Sequence, residues 1–334
     1  MNAHPFLRAI LWPLSLIYGG VVRARVWMFQ KGLLKQKRLK GTVISVGNLT
    51  VGGTGKTPMV IWLAEKFLAE GKRVGILSRG YHGSNGTSDE VELMKFRLQG
   101  RVAFGVGKDR FAEGQRLEAQ QPIDVFLLDD GFQHLQLVRD LDILLIDASR
   151  PMQGEHLLPG GLLREPLSAM DRANLVVFTR SETKPGASEA IERLTQLPVF
   201  SATTRLLGFR GCGGGIQLQS VNDIGAGPFF AFCGIGNPQA FLRDLRSWGL
   251  PICGRTIFAD HHYYSPRDVF TIQEEGKRAG ARAFVTTEKD AQNLAGLMFE
   301  APLFVSVIDL QVTPEADFHS VLERLLAAKI GAAA

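Results

Sequence analysis

Short apolar runs alternate with segments of helical periodicity along the first two hundred residues. Val43-Ile44-Ser45-Val46 runs into a glycine-rich turn, after which apolar side chains recur at helical spacing over 59–68, a helix that should stop at Gly71. Residues 74–78, 102–106, 125–130, 143–147 and 175–179 read as further strands, and Asp89 and Asp109 as the openings of helices. Strands this apolar, separated by helices or loops, predict a parallel sheet covered on both faces. After Leu197 the pattern changes. Residues 199–208 and 216–218 flank the run Gly213-Gly214-Gly215, which reads as a two-strand ribbon or linker. A second α/β unit follows: a strand over 229–233, a turn over 234–238, a helix over 239–248 and a strand over 255–258. Then come a helix with Ser265 as cap and Pro266 at its first position, a strand over 284–287 and a closing helix over 315–328. Because the glycine-rich turn ends in Gly55-Lys56-Thr57 between a strand and a helix, the expected fold is α/β: a P-loop NTPase-type parallel-sheet domain (41–198), a ribbon linker (199–228) and a smaller α/β domain (229–334).

Ahead of these lies a segment, 1–40, of another character. An uncharged apolar stretch over 9–22 contains Pro13 and is flanked by arginines. It is too short to span a bilayer. Nine of the 38 basic residues precede Glu65, the first acidic residue, leaving 29 basic against 33 acidic ones in the remainder. The net charge of +5 therefore belongs to the N-terminus. A helix lying in a membrane interface fits this composition, with Leu7, Ile10, Leu11, Trp12, Leu14, Ile17, Trp27 and Phe29 facing acyl chains and Lys/Arg facing anionic head groups. A core helix with a solvated basic tail is the competing reading, and a secretory signal is set aside because a nucleotide site belongs in the cytoplasm. Cys212, Cys233 and Cys253 lack the spacing of a disulfide framework or a zinc site.

The turn after the first strand carries the strongest chemistry. Thr50-Val51-Gly52-Gly53-Thr54-Gly55-Lys56-Thr57 stands between a strand and a helix, where glycines bring backbone N–H groups close to phosphate oxygens. Lys56 would reach the β/γ-phosphates of ATP, and Thr57 would ligate Mg²⁺. The strict pattern places a glycine where Thr50 stands, so Gly52 and Gly53 must supply the flexibility. Asp129 and Asp130 end an apolar strand, as a metal-holding carboxylate does in such proteins, and both can serve only if the chain has already left the strand at that point. Asp89 is a candidate proton acceptor or, equally, a helix cap partnered by Glu92. Asp260-His261-His262 could ligate a metal or be structural, and Arg164-Glu165 could form an ion pair or present Arg164 to an anion.

Taken together, Val46–Pro58, Leu77-Ser78-Arg79-Gly80-Tyr81, Asp89-Glu90, Asp129-Asp130-Gly131-Phe132-Gln133-His134, Leu162-Leu163-Arg164-Glu165-Pro166, Phe258–Tyr264 and Thr286-Thr287-Glu288-Lys289-Asp290 resemble the tetraacyldisaccharide 4′-kinases of lipid A assembly. The missing first glycine is that family's habit. Its usual Gly-Asp-Glu-Pro is here Ser88-Asp89-Glu90-Val91. The resemblance implies an ATP- and Mg²⁺-dependent enzyme that phosphorylates an acylated glucosamine disaccharide 1-phosphate from the cytoplasmic face of the inner membrane. It implies Asp89 as catalytic aspartate, His261 as its partner from the second domain, Asp129 and Asp130 at the metal and phosphate site, and Glu165 in the active site. Neither a nucleic acid nor a protein partner is expected. A membrane-associated switch ATPase of the partitioning type would share the loop and the helix without needing the Asp–His pair.

Overall fold

The computed structural model describes residues 5–80, 88–149, 155–181, 196–212, 217–294 and 296–333. The expected glycine run 213–215 and most of the polar loop 81–88 lie outside them. The chain divides into two compact units: Met1–Gly80, Leu98–Thr203 and Leu310–Ala334 form the first, Tyr81–Arg97 and Thr204–Asp309 the second. This grouping differs from a cut near residues 198 and 228, because two segments cross between the units along the chain.

In the first unit, helix α1 (Pro5–Gln30) precedes β1 (Thr42–Asn48), α2 (Lys56–Ala69) and β2 (Val74–Ser78). Helix α3 (Asp89–Leu98) belongs almost wholly to the second unit. The first unit resumes with β3 (Ala103–Val106), α4 (Arg110–Gln120), β4 (Val125–Asp129), β5 (Leu141–Asp147), β6 (Leu175–Thr179) and the start of β7 (Val199–Gly211). The strand order is β3-β2-β4-β1-β5-β6-β7, and the pairings are parallel. Buried Val, Ile, Leu and Phe run almost unbroken through β1, β4, β5 and β6, as a sheet covered on both faces demands. Because β1 lies between β4 and β5, the loop that leaves β1 opens beside the carboxyl end of β4; Val46 and Asp129 are in register. That is where an open parallel sheet builds a site.

The second unit continues through β7 into β8 (Phe229–Cys233), α5 (Pro238–Ser247), β9 (Ile252–Ile257), α6 (Pro266–Arg278), β10 (Ala283–Thr287), α7 (Glu288–Asn293) and β11 (Leu303–Thr313). Its order is β11-β10-β8-β9, again parallel. Ser265 caps α6 in a full capping box with Asp268, and Pro266 stands in the first turn, as the sequence leads one to expect. Within the expected linker, Phe209 of the long strand β7 and Gln219 exchange two backbone hydrogen bonds of 2.8 and 2.7 Å as an antiparallel bridge. The last part of β11 and α8 (Glu315–Ala333) return to the first unit, where Phe318 packs edge-on against Trp62 and Phe200.

Helix α1 runs unbroken through Pro13. One side packs on the loop over 157–164: Gly160 N donates to Ser15 Oγ at 2.9 Å, and Tyr18 donates its phenol to the Arg164 carbonyl at 2.9 Å. Trp12, Leu14, Leu16, Ile17, Val21 and Trp27 are each more than half exposed. Among the described residues, no helix is long and apolar enough to cross a membrane.

Candidate active site

The turn between β1 and α2 takes the shape its glycines permit. Gly52 and Gly55 have φ of 108° and 82°, in the left-handed region that costs glycine nothing, and Gly55 caps α2. A Cβ on Gly55 would lie 3.3 Å from the Thr179 methyl, while Thr179 donates its hydroxyl to the Thr54 carbonyl at 3.0 Å. The loop over 157–164 braces the other side. Val51 N donates to Leu162 O at 2.9 Å, Arg164 N donates to Leu49 O at 2.7 Å, and Thr50 bridges Leu163. Thr54 is buried, whereas Gly53 is exposed and Val51, Gly52, Gly55, Lys56 and Thr57 are half-buried, so the turn is held from its sides and open at its crest.

Lys56 Nζ stands 3.4 Å from Asn48 Oδ1 and 3.5 Å from Asp130 Oδ1. Asp129 and Asp130 differ in backbone conformation and in partners. Asp129 closes β4, is buried, and accepts from Ser78 Oγ at 3.2 Å. Asp130 has a φ of 51°, so the chain has left the strand there, as two working carboxylates require. Its other oxygen accepts from Arg164 Nη1 at 2.7 Å. Burial opposes the charge on Asp130, but Lys56 and Arg164 outweigh it and hold the carboxyl below its usual range. Four residues on, burial and the charges of Arg110, Arg139 and Arg25 push the His134 imidazole down to about 4.

Arg164 and Glu165 do not pair with each other. Arg164 reaches Asp130, whereas Glu165, 3% exposed, accepts from Nη1 and Nη2 of Arg172 at 2.7 and 3.0 Å. Arg172 in turn lies over the Phe132 ring, 4.6 Å from its centroid.

A second cluster of ionisable groups lies in the second unit. Ser88, not Asp89, caps α3: Val91 N donates to Ser88 Oγ at 3.3 Å. The Asp89 carboxylate is therefore available to His261, whose Nδ1 lies 3.1 Å from both oxygens. His261 has a φ of 60° and its backbone N–H donates to the Gly234 carbonyl at 3.0 Å. Burial opposes the charge on Asp89, but the hydrogen bond from His261 and the Lys289 ammonium hold its carboxyl well below the carboxylate range. The same hydrogen bond raises the His261 imidazole above its ordinary value. His262 faces elsewhere, stacked on Phe258 with its Nε2 3.2 Å from Asp268. A metal bridging Asp89, Glu90 and His261 would compete with Lys289, whose ammonium already lies 3.6, 3.1 and 3.3 Å from those three side chains. In the first unit, Thr57 and Asp129 offer the hard oxygen donors Mg²⁺ prefers, while both Asp130 oxygens face cations.

Arg172, Ser78 and Lys289 are partners that the pattern of residues did not single out. Lys289 stands in a quoted motif, yet nothing in Thr-Thr-Glu-Lys-Asp marks which residue it faces. Only the carboxylates brought to it by folding do so.

An open glycine turn of phosphate-loop form on a parallel sheet, with a lysine and strand-end carboxylates converging beside it, defines a protein of the P-loop NTPase type. The family model for tetraacyldisaccharide-1-P 4′-kinase matches residues 7–328. The chain belongs to that family. A tetraacyldisaccharide 4′-kinase of Geobacter sulfurreducens is 38% identical over 97% of this chain and 95% of its own length; one of Desulfatibacillum aliphaticivorans is 40% identical over 86% and 84%. A crystal structure of an "apo" form of LpxK from Aquifex aeolicus in complex with ATP superposes with a TM-score of 0.78 at 31% identity, covering 96% of this chain and 99% of that one.

Proposed function

We propose that this chain transfers the γ-phosphate of ATP to the 4′-hydroxyl of a tetraacylated glucosamine disaccharide 1-phosphate. The observation that carries the reading is Lys56, held by Asn48 and Asp130 at the mouth of a braced glycine turn, in a chain that matches the kinase family over nearly its whole length. In the reaction the bond from the β–γ bridging oxygen to the γ-phosphorus breaks, ADP leaves, and a bond forms from the sugar oxygen to that phosphorus. The hydroxyl proton passes to the Asp89–His261 pair.

Residues 50–57 present backbone N–H groups and Lys56 to the triphosphate, and the Asp130–Arg164 pair keeps Lys56 aimed. Thr57 and Asp129 would hold Mg²⁺, which when bound neutralises charge on the phosphate oxygens. Glu165 contributes by fixing Arg172 and with it the loop that braces the turn. The exposed apolar side of α1 and the basic residues after it would seat the enzyme on the cytoplasmic surface of the inner membrane, the acyl chains of the substrate remaining in the bilayer.

Incubation with γ-labelled ATP and the lipid acceptor should move the label stoichiometrically onto lipid. Hydrolysis without labelled lipid would instead support a switch ATPase. Asp89→Ala and His261→Ala should each lower kcat by about 10²–10⁴-fold, the range of general acid–base catalysis, with little change in ATP affinity.

A further inference from the structure

We propose that Lys289 is a positioning residue for the Asp89–His261 pair, its ammonium holding His261 in the tautomer that keeps Nε2 unprotonated and donates Nδ1–H to Asp89. The inference rests on the reading of that pair as proton acceptor.

The geometry converges on one nitrogen. Lys289 Nζ lies 3.3 Å from His261 Nε2, 3.1 Å from Glu90 Oε1, 3.4 Å from Asp260 Oδ1 and 3.6 Å from Asp89 Oδ2. An ammonium has three donors and no acceptor, so the ring nitrogen beside it must be the acceptor. The other ring nitrogen, 3.1 Å from both Asp89 oxygens, then carries the proton. Two carboxylates would otherwise favour a proton on Nε2: Glu90 Oε1 at 3.6 Å and Asp260 Oδ1 at 3.9 Å. Lys289 stands nearer to both of them than the imidazole does, and so draws their charge to itself. Burial and the charges of Asp89 and Glu90 together raise the nearby Tyr263 phenol above its ordinary value.

This is no swinging surface lysine. Its side chain is 20% exposed, and its neighbours in sequence are both anchored. Glu288 is buried and accepts from Arg97 Nη1 at 2.9 Å, which ties the segment to the far end of the helix that begins at Asp89. Asp290 is buried and accepts from Gly234 N at 2.7 Å and from the Tyr264 phenol at 2.9 Å, which ties it to the loop that carries His261. With Glu288 and Asp290 fixed on the two elements of the pair, the backbone of the lysine between them is held beside the imidazole.

The test reads the imidazole itself. In the full chain with ¹⁵N-labelled histidine, His261, assigned by its loss in His261→Gln, should show Nδ1 protonated and Nε2 bare. In Lys289→Met the imidazole should become about tenfold easier to protonate, with Nε2–H appearing, and the acid limb of the kcat–pH profile should move up by about one unit. Lys289→Arg, which keeps the charge, should restore most of the original profile. If Lys289→Met does not fold, Lys289→Gln takes its place in the same comparison. An unchanged tautomer and titration in a folded, charge-removed variant would overturn the proposal. A shifted imidazole with an unmoved rate profile would leave Lys289 in its place and reject the pair as proton acceptor.

Discussion

Burial opposes a positive charge on His134, and the charges of Arg110, Arg139 and Arg25 add to that opposition. Its folded pKa of about 4 is below the 6.5 of a free imidazole. As pH falls, the unfolded chain takes up this proton first. The contribution of His134 to stability is thus full above about pH 6.5 and is lost progressively down to about pH 4. Partial exposure of the ring limits the loss to about 2 kcal/mol. Urea unfolding at pH 7.5 and 4.5 should show His134→Gln losing less stability than the parent by that margin; equal losses would mean the ring is protonated in the folded state. The same scale shows what residue types reveal. Gly-Lys-Thr after a strand identifies the phosphate turn because the backbone needs those glycines. Partner choice does not follow from adjacency: Arg164 and Glu165 are neighbours in sequence, yet one faces Asp130 and the other Arg172. Ser88 and Asp89 are both good caps; in the fold serine takes that role while Asp89 faces His261.

Among the elements, apolar runs and caps placed most of the strands and helices of the first unit within a few residues. The sequence pattern gives no expectation of strand β11, although Leu303-Phe304-Val305-Ser306-Val307-Ile308 is rich in β-branched side chains. It follows a Gly/Pro-containing stretch rather than a helix-like one, and its burial alternates only toward its end, so neither the βαβ rhythm nor a clean period of two announces it. Helix α8 carries the consequence of that strand. Phe318 is fully buried, with ring centroids 5.4 Å from Trp62 and 5.1 Å from Phe200. Phe318→Ala should destabilise the fold by about 3–5 kcal/mol, measured as a drop in the urea midpoint at constant m. A loss under about 1 kcal/mol would show that α8 does not complete the core of the first unit.

For the whole molecule, charge and exposed apolar surface point the same way. The basic excess lies before Glu65, and α1 exposes Trp12, Ile17 and Val21 while its other side packs on the loop that braces the phosphate turn. The protein should sediment with anionic vesicles at low salt and less so as salt rises. Ile17→Asp should weaken that binding several-fold without altering the melting temperature, since Ile17 is 66% exposed. Vesicle binding equal to the parent would remove α1 from any membrane contact. Sequence by itself determined the class of fold, the phosphate turn and the basic apolar N-terminus, because these are set by local periodicity, glycine conformations and composition. The compact unit to which 81–97 and 310–334 each belong, the partners of Arg164 and Glu165, and the lysine beside His261 were decided only by tertiary structure. Each depends on which distant side chains the strand order brings within a few ångströms, and no local pattern encodes that distance.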